Sequence, residues 1–149
     1  MLLERFYSAL ARHDWATMGA LYAQDARFSD PVFPGLHAAQ VKAMWKMLLE
    51  GGTDLRLAFK VLEEGPTHGV CTWEAFYTFG STGRKVHNTI RSEFELRDGL
   101  IVRQRDRFNL WRWTRQALGP TGLLLGWTPM VHGKVRTMAA KRLAKAMQG

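Results

Sequence analysis

Residues 94–111 read FELRDGLIVRQRDRFNLW, and this stretch decides the fold. Asp98-Gly99 lies between the apolar Leu96 and Ile101. Both residue types tolerate the positive φ that the tightest hairpin turns require, so two antiparallel strands are expected to meet there. Val86–Leu96 reads as the first and Ile101–Leu110 as the second. Strand side chains alternate between faces. In the first, Val86, Asn88, Ile90, Ser92, Phe94 and Leu96 form the largely apolar set, which must face the core. His87, Thr89, Arg91, Glu93 and Glu95 face outward. In the second, Val102, Gln104, Asp106, Phe108 and Leu110 face inward, opposite Arg103, Arg105, Arg107 and Asn109. A carboxylate, Asp106, is thus expected on an apolar face beside Asn88, Ser92 and Gln104.

Upstream, Leu55–Leu62 and Val70–Phe79 read as two more strands, separated by Gly65-Pro66 and followed by a turn at Gly80–Gly83. Trp73, Ala75, Tyr77 and Phe79 share the inward face. Before the strands the apolar spacing is helical. Leu2, Leu3, Phe6, Tyr7 and Leu10 mark a first helix, Asp14 caps a short second one, and Ala38–Leu49 is a third ended by Gly51-Gly52. Helices followed by an antiparallel meander indicate an α+β fold. No internal repeat, low-complexity tract or linker interrupts the chain.

The 149 residues suit one domain able to bury a core without cross-links. Cys71, the only cysteine, excludes an internal disulfide and cysteine-based zinc motifs, and its apolar strand context fits an inert buried thiol. The five histidines are scattered, so no metal site is expected. No apolar run is long enough to cross a membrane, and the first residues lack a signal-peptide pattern, so a cytoplasmic protein is expected. The net charge of +8 is uneven: residues 1–98 carry 11 Lys/Arg against 12 Asp/Glu, whereas residues 99–149 carry 10 against one.

A second carboxylate stands out in the hexapeptide Phe28-Ser29-Asp30-Pro31-Val32-Phe33. Asp-Pro commonly starts a turn. Yet Asp30 is flanked by Phe28, Val32 and Phe33, and desolvation in such a setting tunes a carboxyl group toward proton transfer at neutral pH. Asp30 and Asp106 are expected to point into one concave interior, where like-charge repulsion would separate their pKa values into one acid and one base.

The residues 5–33, RFYSALARHDWATMGALYAQDARFSDPVF, together with residues 94–111 and the order of elements, resemble the nuclear transport factor 2-like superfamily, and within it the ketosteroid isomerase and SnoaL-like branch. The likeness covers roughly Leu3–Leu118. It implies a curved sheet wrapped by helices into a cone (the cystatin-like fold) with a deep apolar pocket. It places Asp30 at the isomerase general base, Phe6 at the position of the oxyanion-donating Tyr, and Ser92 at that of the donating Asp. Tyr7, about 100° further round the helix, is not expected to substitute directly for that donor. A more distant resemblance, through RQRDRF at residues 103–108, is to limonene epoxide hydrolases. It places Asp106 at the catalytic Asp, Trp73 and Ala75 at its Arg and Asp partners, and Asp30 at the water-holding Asn. Polyketide cyclases of the superfamily require only one acid/base Asp in an apolar pocket.

The expectation is therefore an apolar small-molecule site needing no cofactor. Asp30 and Asp106 are the catalytic candidates; Phe6, Phe28, Trp73, Tyr77, Asn88, Ser92, Gln104 and Phe108 are the substrate-binding candidates. The alternative is a non-catalytic ligand-binding or protein-interaction module. His87 and the outer face are read as surface or homodimer interface. Residues 1–118 form the pocket domain. Residues 119–149 form an apolar loop with Trp127 and a basic helix. Packing of this segment against the body is preferred over a lid, a peripheral membrane contact or a nucleic-acid site, and no nucleic-acid partner is expected.

Overall fold

The computed structural model describes residues 1–148. Helices α1 (Leu2–Ala11) and α2 (Trp15–Ala20) lead into strand β1 (Tyr22–Ser29), a two-residue strand β2 (Leu36–His37) and helix α3 (Ala38–Gly51). Four long strands follow: β3 (Arg56–Glu64), β4 (His68–Phe79), β5 (Arg84–Arg97) and β6 (Leu100–Arg107). Helices α4 (Leu110–Leu118), α5 (Pro120–Leu125) and α6 (Pro129–Gln148) complete the chain.

The strands form one curved, open sheet in the order β2-β1-β6-β5-β4-β3. β3 to β6 are the expected antiparallel meander, whereas β1 joins β6 in parallel. The β5–β6 turn is the two residues Asp98 and Gly99, at φ 53° and 75°. Two successive positive φ values match the twist of the flanking strands. The helices cover the concave face, where Leu3, Phe6, Tyr7, Leu10, Phe28, Val41, Met44, Trp45, Phe94 and Ile101 form the main core.

The inward set of β5 is as read from the sequence, with Val86, Ile90, Ser92, Phe94 and Leu96 buried. β6 departs from its expected pattern at both ends. A bulge opposite Glu95–Leu96 exchanges the faces, so Ile101 is buried and Val102 half-buried. At the other end the strand stops at Arg107, not Leu110. Asn109 Oδ1 accepts the Arg112 backbone N–H at 3.0 Å, and this N-cap starts α4, whose Leu110, Trp113 and Ala117 pack on Val86. At the other end of the chain, Asp14 caps α2 through Thr17 N–H at 3.1 Å.

The C-terminal segment packs against the body. Leu143 of α6 is buried in the main core, Arg136 Nε donates to the Pro31 carbonyl at 2.9 Å, and an Arg142 guanidinium N–H donates to Ser81 Oγ at 2.6 Å. The expected loop after residue 118 is in part the short helix α5. Its Gly122 and Gly126 lie one turn apart against Thr114 of α4, and a Cβ at either glycine would overlap Thr114. Gly122→Ala is therefore expected to cost about 1–3 kcal/mol through forced repacking at the backbone. Chemical denaturation measures it; an unchanged midpoint would mean that α5 does not sit on α4 in this way.

Candidate functional site

One transverse row of the sheet carries the chemistry. On β6, Asp106 lies opposite Ser92 of β5, and Ser92 lies opposite Cys71 of β4. On the other flank, Phe28 and Ser29 of β1 run beside Gln104 and Arg105. Asp30 is the next residue, so the parallel register brings it beside Asp106. β1 ends there because Asp30 forms a turn: its Oδ1 accepts the backbone N–H groups of Val32 and Phe33 at 2.7 and 2.6 Å, and its own N–H donates to the Phe33 carbonyl. The turn and the pocket readings of Asp30 thus describe one geometry, since the turn spends one carboxylate oxygen and leaves Oδ2 without a hydrogen bond among the described residues.

Asp106 is 4% exposed. Its Oδ1 accepts the Ser92 hydroxyl at 2.6 Å and Gln104 Nε2 at 3.0 Å. Each donor is itself held. Trp73 Nε1 donates to Ser92 Oγ at 2.9 Å, which fixes the serine proton toward Asp106. Gln104 Oε1 accepts the Tyr22 hydroxyl, and Tyr22 Oη accepts Trp45 Nε1 at 2.9 Å. The amide is thereby oriented with its N–H toward the carboxylate. The network joins β4, β5, β6, β1 and α3; strand parity places Trp73, Ser92, Gln104 and Asp106 inside, whereas it does not single out Tyr22 and Trp45.

Burial pushes Asp106 up to about 7; the Ser92 and Gln104 donors pull it down, and the Asp30 charge adds a further upward push. Asp30 is half-buried, and burial raises it to about 6 against the lowering effect of the Phe33 and Val32 N–H groups. The mutual repulsion falls mainly on Asp106, the more buried of the two. Both carboxyl groups are thus pushed up toward the neutral range, Asp106 further than Asp30, an ordering that suits an acid beside a base.

Tyr7 is a functional candidate that the sequence reading set aside. It is fully buried, and its hydroxyl is the one buried side-chain polar atom among the described residues with no hydrogen-bond partner. Its ring stacks on Phe59 at 5.4 Å and lies 5.7 Å from Trp73. Burial, then the Asp106 and Cys71 charges, raise its pKa well above the usual phenol value, while the Ser92 hydroxyl, close by but outside good hydrogen-bond geometry, pulls it down. The offset from Phe6 along the helix does not take Tyr7 out of the interior, because α1 is sunk so deep that both rings have no exposed surface. Phe6 is edge-on to Tyr7, Tyr22, Trp45 and Phe94 and, having no hydroxyl, offers no hydrogen-bond donor.

The remaining candidates are less concentrated. Phe28 is buried against Trp45, and Phe108 is half-buried between the two core clusters. Asn88 is half-buried on the same face, opposite Ala75. Tyr77 lies two residues further along β4 than Ala75, and its hydroxyl accepts Trp113 Nε1 at 2.7 Å, so it serves α4 packing. His87 lies on the outer face, stacked on Phe76 with Nε2 3.0 Å from Glu74. Two surface cavities, of about 480 and 570 Å³, lie along the sheet's charged outer face near Arg91 and Arg103, and beside Met1 and Pro66; neither is lined by Asp30 or Asp106. Among the described residues no group of three His, Cys, Asp or Glu side chains is placed to hold a metal.

A SnoaL-like domain model matches residues 3–104, more than half of the chain, and the protein belongs to that family. The fold is similar to a ketosteroid isomerase-like protein from Catenulispora acidiphila in complex with trimethylamine (16% identity, 86% of this chain and 97% of that one, TM-score 0.68). It is also similar to an LEH-like epoxide hydrolase of M. tuberculosis (20% identity, 87% and 92%, TM-score 0.61). A candidate polyketide cyclase from Xanthomonas campestris matches likewise (20% identity, 77% and 93%, TM-score 0.63). At these identities the likeness is one of fold. No curated protein sequence matches the chain.

The two raised carboxyl groups make a stability prediction. Each binds its proton more tightly in the folded than in the unfolded chain, where the value is about 4. Their contribution is full below that value and is lost as pH rises through about 6 for Asp30 and about 7 for Asp106. Urea midpoints are expected to fall across this window in the native protein and to fall less in Asp106→Asn, where only the Asp30 contribution remains. A midpoint that rises across the window would show that the carboxyl groups are not raised.

Proposed function

We propose that this SnoaL-like protein carries out cofactor-free acid/base chemistry on an apolar small molecule. Asp30 is the general base and Asp106 the acid, while Tyr7 donates a hydrogen bond to a substrate oxygen. The observation that supports this most is that Asp30 directly follows the Ser29–Arg105 pair, next to Asp106 on β6, with the Tyr7 phenol buried in the same interior without a hydrogen bond. A purely structural network satisfies its buried polar groups. Here Asp106, Ser92, Gln104, Tyr22, Trp45 and Trp73 are linked to one another, and Tyr7 is left over.

Among the chemistries that its structural relatives bring to mind, proton transfer next to a carbonyl, as in isomerisation or cyclisation, fits best. Epoxide opening of the limonene type relies on an Arg and an Asp beside the catalytic Asp, and Trp73 and Ala75 hold those positions. Steroid isomerisation in its usual form relies on a Tyr and a protonated Asp as donors. In this reading Tyr7 takes the first role from a neighbouring position and Asp106 supplies the protonated carboxyl. Ser92 becomes the group that positions Asp106. Trp73, Phe28 and Phe94 supply the apolar surroundings of the two carboxyl groups, with the half-buried Asn88 on the same face of the sheet. A homodimer through the outer face of β5 and β6 belongs to the same proposal.

The test is exchange of carbon-bound hydrogen in D2O with a panel of apolar cyclic ketones, followed by NMR. The native protein is expected to accelerate exchange for at least one compound. The rate should fall as Asp30 protonates below about 6 and as Asp106 loses its proton above about 7. Asp30→Asn is expected to lose roughly 10²- to 10⁴-fold, and Tyr7→Phe a smaller part of the rate. Binding of these ketones with no exchange above buffer would instead support the non-catalytic module.

A further inference from the structure

We propose that the α4–α6 end of the protein docks on an anionic lipid bilayer, with the α5 tip dipping into the interface and α6 lying along it. Three observations carry the proposal. The tip is apolar and outward-facing: Leu123, Leu124, Leu125, Trp127 and Met130 are all exposed, Leu124 at 69% and Trp127 at 65%. This exposure is built in. Gly122 and Gly126 occupy the face of α5 that touches Thr114, with no room for a side chain, so the three leucines between them project away from the body. The Trp127 indole N–H donates to the Leu124 carbonyl at 3.1 Å, so the ring is free to contact hydrocarbon without stranding a polar group.

Met130 also begins a stripe along α6. Met130, Lys134, Met138, Lys141 and Lys145 are exposed and fall within about 80° of arc at helical spacing. The opposite side of the helix holds Val135, Ala139 and Leu143 against the body, and Val131 is buried at the edge of the stripe. Residues 108–149 contain seven Lys/Arg and no Asp/Glu. Two of these, Arg136 and Arg142, bond to the body, while Lys134, Lys141 and Lys145 form no ion pair among the described residues.

An apolar tip continuous with a lysine stripe is complementary to an interface of anionic headgroups over acyl chains. No helix among the described residues is long and apolar enough to cross the membrane, so the contact is peripheral. A second copy fits less well, because two such lysine stripes repel. Nucleic acid fits less well too: leucines offer bases no stacking surface, and the Trp111 ring is covered by the Arg115 guanidinium 4.7 Å from its centre.

Vesicle sedimentation of the full chain tests the proposal, using phosphatidylcholine vesicles with and without phosphatidylglycerol. Binding is expected only with phosphatidylglycerol, weakening as salt rises. The Leu124→Ser/Trp127→Ser variant is expected to lose at least about tenfold in partitioning. Lys134→Glu/Lys141→Glu/Lys145→Glu should lose the preference for anionic lipid. All five positions are exposed, so melting curves should overlay that of the native chain; if the serine variant melts early, the glutamate variant still decides. No binding to phosphatidylglycerol vesicles would overturn the proposal, as would equal binding to both vesicle types. So would a dimer that the serine variant splits while vesicles remain unbound, which would assign the patch to a second copy.

Discussion

The rest of the structure is arranged around a carboxylate taken out of water. Burying Asp106 on an apolar sheet face is costly unless donors are placed against it. Two neutral donors, Ser92 and Gln104, meet one of its oxygens, and neither carries a charge that would hold it fully ionised. An arginine there would have lowered the pKa; the arginines at 103, 105 and 107 instead alternate to the outer face, where Arg103 and Arg107 approach Glu95 and Glu93. The carboxyl group is therefore supported but still tunable. Trp73 and Tyr22 hold the donors, so that core residues from four strands and α3 are committed to one network.

The parallel pairing of β1 with β6 adds the second carboxyl group. The Asp30 turn ends β1 one residue after its last pair with β6, and its two backbone bonds occupy one oxygen and leave the other without a hydrogen bond among the described residues. The following Pro31 carbonyl is gripped by Arg136 of α6. The C-terminal helices thus touch the loop that carries one of the two acidic groups, and motion of α6 would be felt there.

Much of this was legible in the sequence, for a physical reason. Asp98-Gly99 sets a two-residue turn, the turn fixes register, and register with period-two alternation places Ser92, Gln104 and Asp106 on one face. The same alternation failed at Val102, where a bulge exchanges the faces, and beyond Arg107, where Asn109 caps a helix. The depth of Tyr7 could not be read, because helical offset says which way a side chain points but not how deeply the helix is buried. The glycine seat of α5 was invisible because Gly122 and Gly126 have meaning only against Thr114, a contact that no local pattern announces.

The family fixes the scaffold, and the proposed function adds an interior in which Tyr7 and Asp106 act as donors, with Ser92 holding Asp106. The central claim is that Asp106 is a neutral-range acid coupled to Asp30. Carboxyl-carbon NMR of selectively labelled aspartate, titrated between pH 3 and 9 on the native chain and on Asp30→Asn, tests it most directly. The account predicts that Asp106 titrates near 7 and moves down when the Asp30 charge is removed. An Asp106 midpoint near the ordinary value of about 4, unmoved by Asp30→Asn, would contradict it.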